Sequence, residues 1–174
     1  MKFFSIFICF IFFSNFIFAH GPSRQKVIKK VELDANQAMT WEIVSNFSDF
    51  SWHPDLIKQN SSGNDIGSTR ELVFKDNLNI KHSLEKLNSE RKMISWRIID
   101  SDKTIMPVNS YSATLTVSPH KEDQNKSMLV YKSAFYRGFM GNDPPEELND
   151  ENSKKKVMIF VDKAIEGLKN KVQQ

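Results

Sequence analysis

Residues 150–172 read DENSKKKVMIFVDKAIEGLKNKV. Val157, Val161, Ala164, Leu168 and Val172 recur three and four positions apart, and Phe160 and Ile165 widen the stripe. Lys155, Asp162, Lys163, Glu166 and Lys169 fall on the other side. This is the period of an amphipathic helix with one broad apolar face. Asp150 is the expected N-cap, and Glu151 puts negative charge on the first turn, where the helix dipole favours it. Pro144-Pro145 forbid a longer helix running in from upstream. The stripe must be covered, and the residues from Gly67 to Phe135 offer only strands to cover it. The expected arrangement is one helix held in the palm of a curved antiparallel sheet, with function decided by what lies between them.

Strand patterning supports this. Lys26 to Asp34 alternates, with Val27, Val31 and Leu33 set against Lys26, Lys30, Glu32 and Asp34. The period then changes over Asn36 to Phe47, where Ala38, Trp41, Ile43-Val44 and Phe47 form the apolar side of a short helix capped by Asp34 or Asn36. Trp52-His53-Pro54 ends that stretch, because the residue before proline resists helical geometry. From Gly67 the period is two. Arg70, Leu72 and Phe74 share a face, followed by Ile80, His82 and Leu84 after an Asp76-Asn77 turn. Ile94, Trp96 and Ile98 come next, then Tyr111, Ala113, Leu115 and Val117, and finally Leu129, Tyr131, Ser133 and Phe135. Lys75, Lys81, Arg97, Thr114, Thr116 and Lys132 oppose them, as in an antiparallel sheet with one wet face. With a weaker strand around Ile57 to Ser61, six or seven strands are predicted in an α+β fold.

The amino terminus carries an address. Met1-Lys2 precedes an almost continuous apolar run from Phe3 to Phe18, and Ala19 occupies the position of a signal-peptidase site. Residues 1–19 are expected to be a signal peptide and 20–174 one exported domain without a stable membrane anchor, the alternative being an uncleaved anchor. The single cysteine, Cys9, lies inside the leader. Disulfides, thiolate metal sites and cysteine nucleophiles are thereby excluded from the mature chain. Loss of Lys2 leaves 23 basic against 21 acidic residues, a net charge of +2 that gives no electrostatic case for nucleic acid. Lys154 to Lys156 decorate the solvent side of the last helix.

A strand, a helix, a run of strands and a long closing helix resemble the START-like helix-grip fold of the polyketide cyclase and Bet v 1 (SRPBCC) superfamily. Several strings narrow the likeness: His20-Gly21-Pro22, Gln25-Lys26-Val27, Trp52-His53-Pro54, Pro107-Val108-Asn109-Ser110-Tyr111, Tyr136-Arg137-Gly138, and the run Asn142-Asp143-Pro144-Pro145-Glu146-Glu147-Leu148-Asn149-Asp150-Glu151. Together they are similar to MxaD-type periplasmic proteins associated with bacterial methanol oxidation. The resemblance implies a periplasmic accessory factor assisting electron transfer between a quinoprotein alcohol dehydrogenase and its cytochrome c. In the polyketide-cyclase-like relatives a carboxylate is usual where His82 aligns, so this chain replaces an Arg–Glu pair with Arg–His.

One helix cannot fill a whole concave face, so a cavity with inward polar groups is expected. Arg70, in phase with Leu72 and Phe74, needs a partner or an anion if it points inward. His82 should face it across neighbouring strands, with the two cations pushing the imidazole toward neutrality. Trp52 and His53 are placed at the mouth, His53 as a candidate general base or as a loop hydrogen-bonder. Trp96, Tyr111, Tyr131, Phe135 and Phe160 complete the expected lining, the ring polar groups needing partners when buried. Asn142, Asp143, Pro144 and Pro145 form the expected partner surface. His20, once exposed as an amino terminus, would offer a two-nitrogen chelate suited to Cu(II), with a frayed end as the plainer account. No nucleophile elbow, carboxylate pair, zinc spacing or phosphate loop occurs, and no cofactor is implied. Three functions follow: a non-catalytic protein binding a small, mostly apolar molecule, the electron-transfer accessory, or a cyclase- or hydrolase-like enzyme using Arg70, His53 and His82.

Overall fold

The computed structural model describes residues 21–174; residues 1–19, expected as a signal peptide, and His20 lie outside them. Seven strands form one antiparallel sheet: β1 (Gln25–Leu33), β2 (Leu56–Ser61), β3 (Thr69–Phe74), β4 (Asn79–Asn88), β5 (Met93–Ser101), β6 (Val108–Pro119) and β7 (Ser127–Arg137). Helix α1 (Gln37–Ser45) follows β1, and α2 (Asp150–Lys171) closes the chain. The spatial order β1-β7-β6-β5-β4-β3-β2 puts the first strand against the last, with Gln25 opposite Phe135 and Leu33 opposite Ser127. The START-like helix-grip arrangement of α+β type is therefore present.

Curvature has local causes. The register shifts between β4 and β5 near Lys81 and again near Lys86, and between β6 and β7 across Asn109 to Ser112. Each extra residue on one strand bends the ribbon and increases its twist. Ser110, inside the last shift, has φ 49°. The β3–β4 turn is made by Asp76 and Asn77 at φ 59° and 58°, the left-handed region that short Asx side chains tolerate.

The inward phase holds along β3 to β7, with Ile98 half-buried, whereas β2 buries no residue and its Ile57 is 66% exposed. Arg70, Leu72, Phe74, Ile80, His82, Leu84, Trp96, Tyr111, Leu115, Leu129, Tyr131 and Phe135 are all buried. Val157, Phe160, Val161, Ala164, Ile165 and Leu168 of α2 are buried with them. Two details differ from the expected caps and faces. Asn149, not Asp150, caps α2, its side chain accepting from the Asn152 amide at 2.8 Å. Asp150 instead turns back to accept from Arg137 Nη1 at 2.8 Å and from Gln25 Nε2 at 2.9 Å, tying the helix start to β7 and β1. In α1, capped by Asn36 through Met39 N at 2.9 Å, Ala38 is exposed and Thr40 takes the inner position. The Thr40 and Ser127 hydroxyls meet at 2.8 Å, which satisfies a buried polar side chain where periodicity favoured an apolar one.

Gly167 sets how close α2 comes to the loop after α1. A Cβ built there would lie 1.6 Å from the Trp52 carbonyl oxygen and 3.0 Å from Pro54 Cδ. The loop backbone occupies the space a side chain would need. Alanine propagates a helix better than glycine by about 1 kcal/mol, but overpacking of this kind costs roughly 1–3 kcal/mol or more. Gly167→Ala should therefore lower the unfolding free energy, read by urea denaturation, while Glu166→Ala on the exposed side stays within about 0.5 kcal/mol of the parent. Equal stability of the two variants would show that the loop is not seated on the helix.

Candidate functional site

The last turns of the fold leave a cleft of about 290 Å³ at one end of the grip. Its helical wall is a single stripe, Lys156, Ile159, Phe160 and Lys163, at spacings of three and four residues. Phe74, Lys75, Asp76 and Leu78 around the β3–β4 turn face it. Thr104 and Ile105 enter from the β5–β6 connection, and His53 and Asp55 from the loop after α1. The body is apolar and the rim charged. This volume lies at the small end of the roughly 300–1,000 Å³ range of small-molecule sites.

His53 is the polar group at the inner end. Its relative exposure is 2%, and its ring packs against Phe160 at 4.7 Å and Phe74 at 5.1 Å between centroids. Nδ1 accepts the Asp55 amide at 3.2 Å, which leaves the proton of the neutral ring on Nε2. Nε2 is buried and makes no hydrogen bond of full geometry, its neighbouring acceptor being the Phe160 backbone carbonyl. Burial pushes the pKa down to about 4, with Asp55 pulling upward, Lys163 downward and the Phe160 backbone upward. At neutral pH His53 is thus a donor through Nε2–H. A general base is not what this geometry provides, because the lone pair of the neutral ring is taken by backbone.

A clasp holds that loop in place. Lys163 Nζ meets Asp55 Oδ2 at 2.5 Å, one helical turn before Gly167 and its contact with Trp52. The Lys163 hydrogen bond holds the Asp55 carboxyl below its usual range. Gly167 and Lys163 are the positioning residues that periodicity alone did not single out. Their signal was present only as a glycine interrupting the stripe and a lysine beside it.

Deeper in the palm lies a second polar group. Arg70 and His82 are register partners on β3 and β4, and Arg70 Nε donates to His82 Nδ1 at 3.0 Å. Nη1 donates to the Phe47 carbonyl at 3.0 Å, and Nη2 is buried without a partner. The guanidinium carbon sits 4.3 Å from the Phe50 ring, 4.5 Å from Phe47 and 4.8 Å from Trp96, where the π faces offset part of its desolvation. Burial lowers the Arg70 pKa to about 9, so it stays charged at pH 7. Burial first and Arg70 second push His82 well below the ordinary imidazole range. Tyr111 and Tyr131 hydroxyls lie 3.2 Å apart, with burial raising Tyr111 to about 12 and holding Tyr131 well above the ordinary phenol value.

Of the nine residues expected around one pocket, His53 and Phe160 border the cleft. Arg70, His82, Trp96, Tyr111, Tyr131 and Phe135 form the deeper group, and Trp52 stands beside Phe50 with ring centroids 4.2 Å apart. Phe50 separates the two levels: it touches His53 and Phe160 on one side and His82, Trp96 and Arg70 on the other. Asn142, Asp143 and Pro145 are exposed and Pro144 half-buried, on a connection organised by Arg137. Arg137 Nε donates to the Phe139 carbonyl at 2.8 Å and Nη2 to that of Gly141 at 2.6 Å, while Nη1 reaches Asp150. Phe139 and Met140 remain exposed there. The described residues hold no cluster of three or more His, Cys, Asp or Glu side chains suited to a metal, and no helix long and apolar enough to cross a membrane.

Comparison with known proteins gives a family and a fold. Residues 24–173 match the family described as polyketide cyclase / dehydrase and lipid transport. No curated protein sequence matches the chain. Among solved structures, XoxI from Bacillus cereus superposes with a TM-score of 0.70 at 17% identity, over 86% of this chain and 96% of that one. The Zhui aromatase/cyclase from a Streptomyces species gives 0.69 at 15% identity, over 87% and 94%. Norcoclaurine synthase from Thalictrum flavum, solved with dopamine and hydroxybenzaldehyde, gives 0.64 at 12% identity, over 99% and 96%.

The two histidines make stability depend on acid. Both have folded pKa values below the unfolded value of about 6.5, so the unfolded chain binds more protons as pH falls. Their contribution is complete above that pH. For His53 it is lost down to about pH 4, and for His82 it is lost as pH falls through its own lowered pKa. Each such group steepens the decline by up to about 1.4 kcal/mol per pH unit. Urea midpoints should therefore fall between pH 7 and pH 5. His53→Asn, whose amide oxygen can still accept from Asp55, should flatten that slope; an unchanged slope would mean that His53 protonates freely in the folded protein.

Proposed function

We propose that this chain, which belongs to the polyketide cyclase / dehydrase and lipid transport family, is an exported, non-catalytic binding protein for a small, mostly apolar molecule. The observation that carries the reading is the cleft itself, about 290 Å³ walled by Phe74, Leu78, Ile105, Ile159 and Phe160 with the His53 ring at its inner end. A ligand with an apolar body would cover the exposed Ile159 face. Arg70, His82, Trp96, Tyr111, Tyr131 and Phe135 would serve the same site from behind Phe50, by holding the palm rigid and charged. The non-catalytic part rests on His53 and His82, both neutral and both accepting through Nδ1. Export rests on the leader-like residues 1–19, and a periplasmic location follows from it.

A second reading is favoured by one surface. The connection from Gly138 to Asn149 shows Phe139 and Met140 at 39% and 51% exposure beside exposed Asp143, Glu146 and Glu147. The Arg137 bonds hold this apolar-acidic edge in place, as a docking surface needs. On this reading the protein is an accessory of the MxaD type, aiding transfer between a quinoprotein alcohol dehydrogenase and its cytochrome c.

Native mass spectrometry of the protein purified from its own periplasm tests the first reading. A retained small-molecule mass is expected, and Ile105→Trp, which fills the cleft, should abolish it without lowering the melting temperature. Retention of the same mass by Ile105→Trp would remove the cleft as the site. Turnover that is lost on substituting Arg70, His53 and His82 would replace the binding reading with an enzymatic one. For the second reading, Phe139→Ser with Met140→Ser should weaken capture of purified dehydrogenase or cytochrome; undiminished capture would dismiss that surface.

A further inference from the structure

The charges around the cleft are unequal in number and in freedom. Lys75, Lys156 and Lys163 border it against Asp55 and Asp76. Asp55 and Lys163 neutralise one another through their 2.5 Å contact. Lys75 is exposed and Lys156 half-buried, and among the described residues neither pairs with a carboxylate. On α2, Lys156 and Lys163 stand a turn to either side of Ile159 and Phe160, so cationic groups bracket an apolar centre. At the inner end the His53 ring offers no acceptor, its Nδ1 being taken by the Asp55 amide. Besides the two lysines, the Thr104 hydroxyl on the wall both donates and accepts, and Asp76 on the turn accepts.

Resting on the binding function proposed above, we infer that the cleft selects amphipathic organic anions, of which small monocarboxylates are the simplest. The apolar body lies against Phe74, Leu78, Ile105 and Phe160. The acid group is held by Lys75 and Lys156, and the His53 ring forms part of the inner wall. Charge-assisted hydrogen bonds to a carboxylate are roughly twice as strong as neutral ones, and the low dielectric of an apolar wall raises their weight. A neutral analogue of equal length keeps the apolar contact and loses the lysines. An amine analogue would place a cation among three lysines with one unengaged carboxylate, which disfavours it.

Octanoate, 1-octanol and octylamine are the probes, titrated by calorimetry into the mature protein at low salt. Octanoate should bind at least about tenfold more tightly than octanol, and octylamine should bind weakest. In the Lys75→Gln, Lys156→Gln double variant the octanoate preference should shrink toward parity, with octanol affinity unchanged as the sign that the cleft is intact. Octanol binding as tightly as octanoate would overturn the inference and leave the binding function standing. A preference that survives in the double variant would also overturn it, since the selecting charges would lie elsewhere. Failure of all three probes to bind would sink the inference together with the cleft as an apolar site.

Discussion

A carbonyl oxygen occupies the place where residue 167 would carry its side chain, and much of the molecule's geometry follows from that contact. Glycine is a poor helix residue, costing about 1 kcal/mol relative to alanine. Here it permits the Trp52-His53-Pro54 backbone to lie directly on α2. The Asp55–Lys163 clasp adds a second point of attachment one turn earlier. With the loop held at two points, the His53 ring is fixed between Phe160 and Phe74, and its Nδ1 accepts from the Asp55 amide. The same contact presses Phe50 and Trp52 together above the palm.

The interior is consequently divided. Beneath Phe50 the protein spends apolar volume on a guanidinium, two phenols and an imidazole. Arg70 lacks a carboxylate partner among the described residues and relies on three aromatic faces, one carbonyl and His82. An Arg–His pair of this kind avoids burying a second charge, because the imidazole stays neutral. The deeper group thus carries net positive charge, and the rim above it does too.

Arg137 solves a separate problem at the other end of α2. One side chain reaches two loop carbonyls and the Asp150 carboxylate, so the chain leaving β7 and the start of α2 are fastened together. Ser153 adds to this junction, donating to the Pro107 carbonyl at 2.6 Å and accepting from Gly138 N at 3.2 Å. An excursion that lacks regular structure is thereby given a defined shape. The strings around Tyr136-Arg137-Gly138 and Asn149-Asp150 carry these groups, though nothing in their composition says that they meet.

How much was legible depended on whether the determining physics was local. The α2 stripe, the alternation of β3 to β7 and the Asx turn at Asp76-Asn77 are consequences of side-chain period and of backbone preference. They can be read from short windows, and so can the inward phase of Arg70 and His82. Asn149 in place of Asp150 as the cap, and Thr40 in place of Ala38 on the inner face, turned on partners distant in the chain: Arg137 and Gln25 for the first, Ser127 for the second. The cleft was beyond reach for the same reason. Its walls come from α2, two turns and the loop after α1, and its depth is set by a backbone contact at Gly167. By itself the sequence determined which side chains face inward and which class of fold can cover the last helix. Only the tertiary structure decided that Phe50 seals the palm and leaves the open space beside His53, because packing between distant segments sets where volume remains unfilled.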